Sequence, residues 1–264
     1  MESMYKLVAD ALAQGERVAL AMVVRVEGAT PRDVGTKMVV YADGRTAGTV
    51  GGGKVEALVI REAVEAIQQG ASRLVHYALR DAEAGDPGIC GGEVDVFLDV
   101  AVPKPTLLVV GAGHVAVPVA EIGHLCEFRV VVVDDRPDMV SEDRFPHAER
   151  IAADIVETLK GWPIGPQTHI VIVTRGHAQD EDALRTVIGS SAGYIGMIGS
   201  RHKVRAVLDR LRADGVDEAL IRRVRTPIGL DIGAETPAEI AVSILAEVLM
   251  LRQGRSGQPM RLEP

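Results

Sequence analysis

Aromatic residues are scarce in this sequence, with one Trp, four Tyr and three Phe among 264 residues. Since 47% of the chain is nonetheless apolar, its core has to be aliphatic, the composition of buried parallel strands covered by helices. Cysteine is scarcer still: Cys90 and Cys126 are too few for a disulfide framework and are not spaced as a CxxC metal site. That usage fits a reducing compartment. Basic residues are outnumbered, 29 Lys and Arg against 37 Asp and Glu, a formal charge of −8. This excludes a general binder of nucleic acid or anionic membrane, whose surface must be basic. Long apolar runs are missing too. Met1 to Gly15 is interrupted by Glu2, Lys6 and Asp10, unlike a signal peptide. Thr106 to Ala120 contains Gly111, Gly113, His114 and Pro118 and falls short of the ~20 residues of a membrane span. A soluble, cytoplasmic protein is the expectation.

What is present is an ordinary globular composition, long enough for one large or two modest domains, with no internal repeat. Arg17 to Glu27, Thr36 to Tyr41, Arg73 to Leu79 and Val94 to Val100 read as strands. Between them, Val55, Leu58, Val59, Glu62, Ala63 and Ile67 recur at helical spacing over Lys54 to Gln69. Pro103-Lys104-Pro105 keeps the chain extended and marks the boundary between a domain at 1–102 and a second at 106–264. Beyond it, strands at Thr106 to Val110, Arg129 to Asp134, His169 to Thr174 and Gly193 to Ile198 alternate with helical segments near 114–125, 154–160, 179–190 and 201–213. A short strand is expected at Glu149 to Ala152. The fold class is therefore α/β: a mixed α/β domain followed by a Rossmann-like, doubly wound parallel sheet. Thr236-Pro237-Ala238-Glu239 is a complete helix-start signature, followed by Ile240, Ile244, Val248 and Leu251 on one face.

Gly111-Ala112-Gly113-His114-Val115-Ala116 follows a strand and opens a helix, and Asp134 ends the next strand 21 residues after Gly113. Glycines there let the backbone approach a pyrophosphate, and the acid can reach a ribose. The same turn also serves simply to pack helix on strand. Asp135 and Arg136 leave ribose, a 2′-phosphate or another anion open. Gly51-Gly52-Gly53, ahead of a helix bearing Lys54 and Glu56, forms a second backbone anion site or relieves crowding in a tight turn. Cys90, in a polar, glycine-rich stretch, is a candidate soft-metal or sulfur ligand, whereas Cys126 reads as a small core residue. Arg175-Gly176-His177 and Ile198-Gly199-Ser200-Arg201 fall at carboxyl ends of adjacent strands, where open α/β sheets bind ligands. His177 is otherwise an ordinary loop histidine, and Arg201 a solvated arginine. The seven histidines show no metal-binding spacing, and no catalytic set assembles.

Taken together, these residues resemble the XdhC/CoxI family, accessory proteins of xanthine dehydrogenase and carbon monoxide dehydrogenase. In the first half the likeness lies at Glu27 to Arg32, Gly35 to Met38, Gly51 to Glu56 and Cys90 to Gly92. In the second it lies at Gly111 to Ala116, Asp134 to Pro137, Arg144 to Pro146, Ile198 to Arg201 and Pro227 to Glu247. It spans nearly the whole chain, in order.

The resemblance implies a chaperone that binds molybdenum cofactor, as molybdopterin or its dinucleotide form, supports its sulfuration and delivers it to an apo molybdenum hydroxylase. A cysteine desulfurase is a candidate sulfur source, and a homodimer is expected. The implied cofactor-binding residues are Arg32, Lys37, Gly51, Gly52, Gly53, Glu56, Cys90, Gly111, Gly113, His114, Asp134, Arg136, His177, Ser200 and Arg201, with Cys90 facing molybdenum. A delivery protein needs no catalytic residue of its own. The rival readings are an NAD(P)-dependent oxidoreductase, with His177 as its acid-base residue, and a nucleotide-binding regulatory protein.

Overall fold

The structure is a computed structural model that describes residues 3–29, 32–78 and 92–261. It divides into two compact units, Met1–Pro103 and Lys104–Pro264.

The first unit opens with helix α1 (Met4–Ala13), followed by strands β1 (Val18–Glu27), β2 (Lys37–Tyr41) and β3 (Thr46–Gly48). Helix α2 (Gly53–Gln69) precedes β4 (Arg73–Ala78) and β5 (Glu93–Ala101). The five strands form one antiparallel sheet in the order β3-β2-β1-β5-β4. Alternation along the strands sorts the side chains to two faces. Ala19, Ala21, Met38, Val40, Val94, Val96 and Leu98 pack against Val55, Val59, Ala63 and Ile67 of α2. Val18, Leu20 and Val39 turn the other way, toward Ala11 of α1. Helix α1 and the three-residue β3 are additions to the elements expected from sequence.

The second unit runs β6 (Thr106–Val110), α3 (Ala116–Leu125), β7 (Arg129–Asp134), β8 (Glu149–Ala152), α4 (Ile155–Gly161) and β9 (Thr168–Ile172). It continues through α5 (His177–Val187), β10 (Tyr194–Met197), α6 (Arg201–Ala213), α7 (Glu218–Arg223), β11 (Val224–Arg225) and α8 (Pro237–Arg252). The sheet is fully parallel, in the order β11-β10-β9-β6-β7-β8. Chain order reverses between β6 and β9, which is the switch point where doubly wound sheets open a crevice. Leu108, Val110, Ile170 and Ile172 face α4, α5 and α6. Leu107, Val109, Val130 and Val132 face α3 and α8. Each fully buried Val, Leu or Ile adds roughly 1.5–3 kcal/mol, so this two-sided aliphatic core needs few aromatics.

Two helix boundaries differ from expectation. Helix α3 starts at Ala116, leaving His114 in the preceding turn, and α5 covers 177–187, so His177 is its first residue. Helix α8 starts as its sequence signature requires: Thr236 Oγ1 accepts from Glu239 N, and the Glu239 carboxylate accepts from Thr236 N. No helix among the described residues is long and apolar enough to cross a membrane.

Candidate functional sites

In the first unit, strand register gathers the conspicuous motifs at one end of the sheet. Glu27 at the carboxyl end of β1 pairs with Glu93 at the start of β5, and Gly48 at the end of β3 pairs with Met38 near the start of β2. Gly92 is pressed into this end: a Cβ there would lie 2.4 Å from the Ala29 carbonyl oxygen and 2.5 Å from that of Glu27. Only glycine fits, so the segments 27–29 and 92–93 are held together. Arg32 is exposed in the loop before β2. Lys37 Nζ donates to the Gly35 carbonyl at 2.9 Å. Cys90 and Gly91, together with Thr30 and Pro31, lie outside the described residues.

The glycine turn ahead of α2 does form a cradle of backbone N–H groups, and the protein's own carboxylate fills it. Glu56 Oε2 accepts from Val50 N at 3.1 Å, from Gly52 N at 3.1 Å and from the Thr49 hydroxyl. Burial opposes the charge, but these bonds prevail and hold the Glu56 carboxyl below its usual range. Gly52, with φ 79°, takes a conformation that favours glycine. Glu56 is thus the anion of this site in the structure, and Gly51, Gly52 and Gly53 shape the turn around it.

In the second unit, the candidate residues line the carboxyl edge of the parallel sheet. Gly111 packs against the end of β9, where a Cβ would meet the Val173 carbonyl oxygen at 2.6 Å. Gly113 and the exposed His114 complete the turn, and Arg144 reaches in, donating to the carbonyls of Met139 at 2.6 Å and Gly113 at 3.5 Å.

Asp134, only 2% exposed, faces this turn with both oxygens engaged. Oδ2 accepts from Ala112 N at 2.7 Å and from Arg136 Nη2 at 2.9 Å. Oδ1 accepts from Arg136 N at 3.0 Å and Arg136 Nε at 2.8 Å. Burial raises its pKa, yet the Arg136 guanidinium and the two backbone donors outweigh that and pull it down to about 2. In this structure Asp134 therefore pins the glycine turn and Arg136, where the sequence suggested a ribose acceptor.

Asp135 extends the arrangement. Its Oδ2 accepts from Arg175 Nη2 at 2.9 Å and Gln179 Nε2 at 3.1 Å. Since β7 and β9 flank β6, this bridge spans the carboxyl end of β6. His177 is exposed beside it. The neighbouring Asp180 is buried and accepts from the backbone and hydroxyl of Thr174 at 3.1 and 2.7 Å, and its burial raises its pKa. Ser200 accepts from Lys203 N at 3.4 Å and so caps α6, leaving Arg201 exposed at the helix start.

Beyond Arg201 lies a pocket of about 390 Å³ that sequence reasoning did not single out. Its far wall is the loop Pro227 to Ala234, and the fastenings of that loop were also missed. Glu247 Oε2 accepts from Gly229 N at 3.0 Å and from the Tyr194 hydroxyl at 2.6 Å. Ser243 Oγ donates to the Leu230 carbonyl at 2.6 Å. The signal was available: Ser243 and Glu247 stand on the same face of α8 as Ile240, Ile244 and Val248, where a polar side chain has to find a partner. Among the described residues no group of His, Cys, Asp and Glu is arranged to hold a metal ion.

Comparison with known proteins places both units. The profile described as XdhC Rossmann domain matches residues 107–248, and that of the XdhC and CoxI family matches residues 11–78. The uncharacterized protein YqeB of Escherichia coli (strain K12) is 39% identical over 249 residues, 90% of this chain and 44% of its own length. A probable xanthine dehydrogenase component of Bacillus subtilis (strain 168) is 30% identical over 160 residues, 60% of this chain and 46% of its own. The chain thus spans less than half the length of these two relatives. The molybdenum cofactor insertion chaperone PaoD of Escherichia coli (strain K12) is 23% identical over 278 residues, 92% of this chain and 86% of its own. In fold, the chain is similar to a crystal structure described as a xanthine dehydrogenase from Bacillus halodurans, with a TM-score of 0.53 and 23% identity over 97% of each chain.

Proposed function

The chain belongs to the XdhC and CoxI family, and from that premise we propose that it is an accessory protein of a molybdenum hydroxylase. It binds molybdenum cofactor as its cargo, supports installation of the terminal sulfido ligand and passes the cofactor to the apo enzyme. The similarity to the chaperone PaoD over nearly the full chain supports the cargo assignment.

The observation that carries this reading is the convergence in the first unit. Gly92, locked against Glu27 and Ala29, stands at the sheet end that bears Lys37 and the 51–56 turn, with Arg32 in the loop before β2, and in the sequence Gly92 follows Cys90 by two residues. An anionic cargo with a soft metal asks for such a set: cations and backbone donors for its charge, and a thiol for its metal or sulfur. Arg32 and Lys37 supply charge, and Cys90 is the thiol. Glu56 orders the turn from within, so its part is to position Gly51, Gly52 and Gly53.

In the second unit, Gly111, Gly113, His114 and Arg136 form the edge available to the nucleotide or phosphate end of the cargo. Engagement of Asp134 by Arg136 and Ala112 weighs against an NAD-dependent oxidoreductase, because NAD asks for a free acceptor for its ribose 2′-hydroxyl. The functional unit is a homodimer in this reading, with a cysteine desulfurase as the sulfur source.

Anaerobic co-elution and calorimetry with molybdenum cofactor, and in parallel with NAD(H) and NADP(H), test the proposal. Retention of the cofactor without nicotinamide binding is expected. Nicotinamide binding without cofactor retention returns the protein to the oxidoreductases and makes His177 the first residue to replace. Cys90→Ser is expected to weaken retention or sulfuration while leaving the fold intact.

A further inference from the structure

Each sheet has two edge strands, and three of these four edges are short: β3 has three residues, β8 four and β11 two. Strand β4 has six, Arg73–Ala78, and pairs with β5 in unbroken register on one side only. Among the described residues, none of the six makes a backbone hydrogen bond outside that pairing. A row of free N–H and C=O groups is a template for another strand, and edges are normally blunted by shortness, by Lys or Pro, or by a bulge. Strand β4 carries none of these devices.

Its side chains add an apolar row that nothing covers. Register lines up Met22 of β1, Phe97 of β5 and Leu74 of β4 on the sheet face opposite α2. Helix α1 covers that face over Val18, Leu20 and Val39, but Met22 and Phe97 stay half-buried and Leu74 is 61% exposed. On one flank of the row lie Arg25, Asp95 and His76, with His76 Nδ1 2.6 Å from Asp95 Oδ1. On the other flank the Ser72 hydroxyl donates to Asp99 at 3.4 Å.

This edge is self-complementary about Leu74. A second β4, laid antiparallel with Leu74 on the twofold axis, sets Leu74 directly against its own copy and continues the apolar row into Phe97 and Met22 of that copy. The same register sets His76 of each chain opposite Ser72 of the other, beside Asp99, so an imidazole meets a hydroxyl and a carboxylate on both flanks. Moving the axis to Val75 puts Leu74 against His76 and loses both matches. We propose that β4 pairs with β4 of a second copy in this register, fusing two five-stranded sheets into one. A homodimer belongs to the accessory role above, whereas this interface rests on strand length and register and is independent of the cargo. Strand β4 ends with Ala78 beside Glu93 and Glu27, at the end of the sheet assigned to cargo, and antiparallel copies turn those ends in opposite directions. Each chain then holds its cargo without residues from the other.

Sedimentation equilibrium of the full chain without cargo tests the interface. The wild type is expected at twice the chain mass at micromolar concentration. Leu74→Lys puts two like charges face to face on the axis and should raise the dimer dissociation constant by about a hundredfold or more. Val242→Lys, at an exposed apolar residue of α8, should leave it unchanged. Leu74 is itself exposed, so circular dichroism of the variant should match the wild type. Leu74→Cys should give a covalent dimer under mild oxidation, because residues directly opposite in an antiparallel pair have Cα atoms roughly 4.5–5.5 Å apart, within disulfide reach. The wild type, with Cys90 and Cys126, supplies the background for that gel. A monomeric wild type, a dimer indifferent to Leu74→Lys, or one dispersed by Val242→Lys overturns the proposal. Cross-linking through His76→Cys in preference to Leu74→Cys overturns the register. Cofactor retention on the same preparations is a separate readout, expected to be equal in the wild type and in monomeric Leu74→Lys. Retention lost with the dimer overturns the independence of the two cargo ends. A dimer that Leu74→Lys dissociates, with no retention in either protein, removes the accessory role and leaves the interface.

Discussion

Each unit places a carboxylate against the backbone N–H groups of a glycine turn, but the two do it differently. In the first, Glu56 comes from the helix that follows the turn and is bonded to the amides of Val50 and Gly52 and the Thr49 hydroxyl. In the second, Asp134 comes from the neighbouring strand, is nearly inaccessible and carries Arg136 across both oxygens. The difference is one of exchangeability. A partly exposed carboxylate bonded to neutral donors gives way to a competing anion more readily than a buried one locked to a guanidinium. A glycine-rich turn before a helix is therefore not evidence of an empty anion site until the chain's own acids have been placed.

The largest effect that would break this comparison comes from Asp134. Asp134→Ala leaves Ala112 N and the Arg136 side chain without their acceptor, and a loss of about 2–4 kcal/mol in denaturant unfolding of the second unit is expected. An unchanged midpoint would mean that the buried pair contributes nothing. The pH dependence follows from the same group. Its pKa is about 2 in the folded protein against an ordinary value of 3.8, so the stabilisation is complete above about pH 4 and is lost as pH falls toward 2. About 2 kcal/mol of stability should disappear over that window, and Asp134→Asn should flatten it.

Glu56→Ala sharpens the contrast from the other side. It frees the Val50 and Gly52 amides at a cost of about 1–2 kcal/mol, and added phosphate should restore part of that loss in the variant but not in the wild type. A variant indifferent to phosphate would show that the turn collapses without its carboxylate. The smallest effect is expected from Arg136→Ala, which returns Asp134 to the role of a ribose acceptor. Weak NAD⁺ binding, not expected of the wild type, should become measurable by calorimetry. Equal NAD⁺ binding in both proteins would show that Arg136 does not mask the acid.

Much of the second unit was legible because its signals are local and redundant. The strand at Glu149–Ala152 and the start of α8 at Thr236 lie where the sequence puts them. Elements set by tertiary contact were not legible. Strand β3 has three residues and β11 two, too few to show alternation, and α7 is a six-residue turn capped by Asp217. Helix α1, by contrast, carries Met4, Leu7, Val8 and Ala11 at helical spacing, a local signal that went unread, and packs them toward Val18, Leu20 and Val39.

Sites divide the same way. The glycine turns and the acids beside them, Glu56 and Asp134, were readable, but as ligands of a cofactor and not as the groups that close the turns. Glu56 accepts bonds from four to seven residues earlier in the chain, and Asp134 reaches 22 residues back to Ala112. The Tyr194–Glu247 bond joins residues 53 apart, and nothing local announces it beyond a Glu on an apolar helix face.

The measurement that tests the central claim most directly is transfer. Protein loaded with molybdenum cofactor under anaerobic conditions, freed of unbound cofactor by gel filtration, is mixed with an apo xanthine dehydrogenase, and hydroxylase activity is followed. The account predicts that activity appears with the loaded protein and exceeds that from an equal amount of free cofactor. Activation no better than with free cofactor, or failure of the protein to carry cofactor through the column, would contradict it.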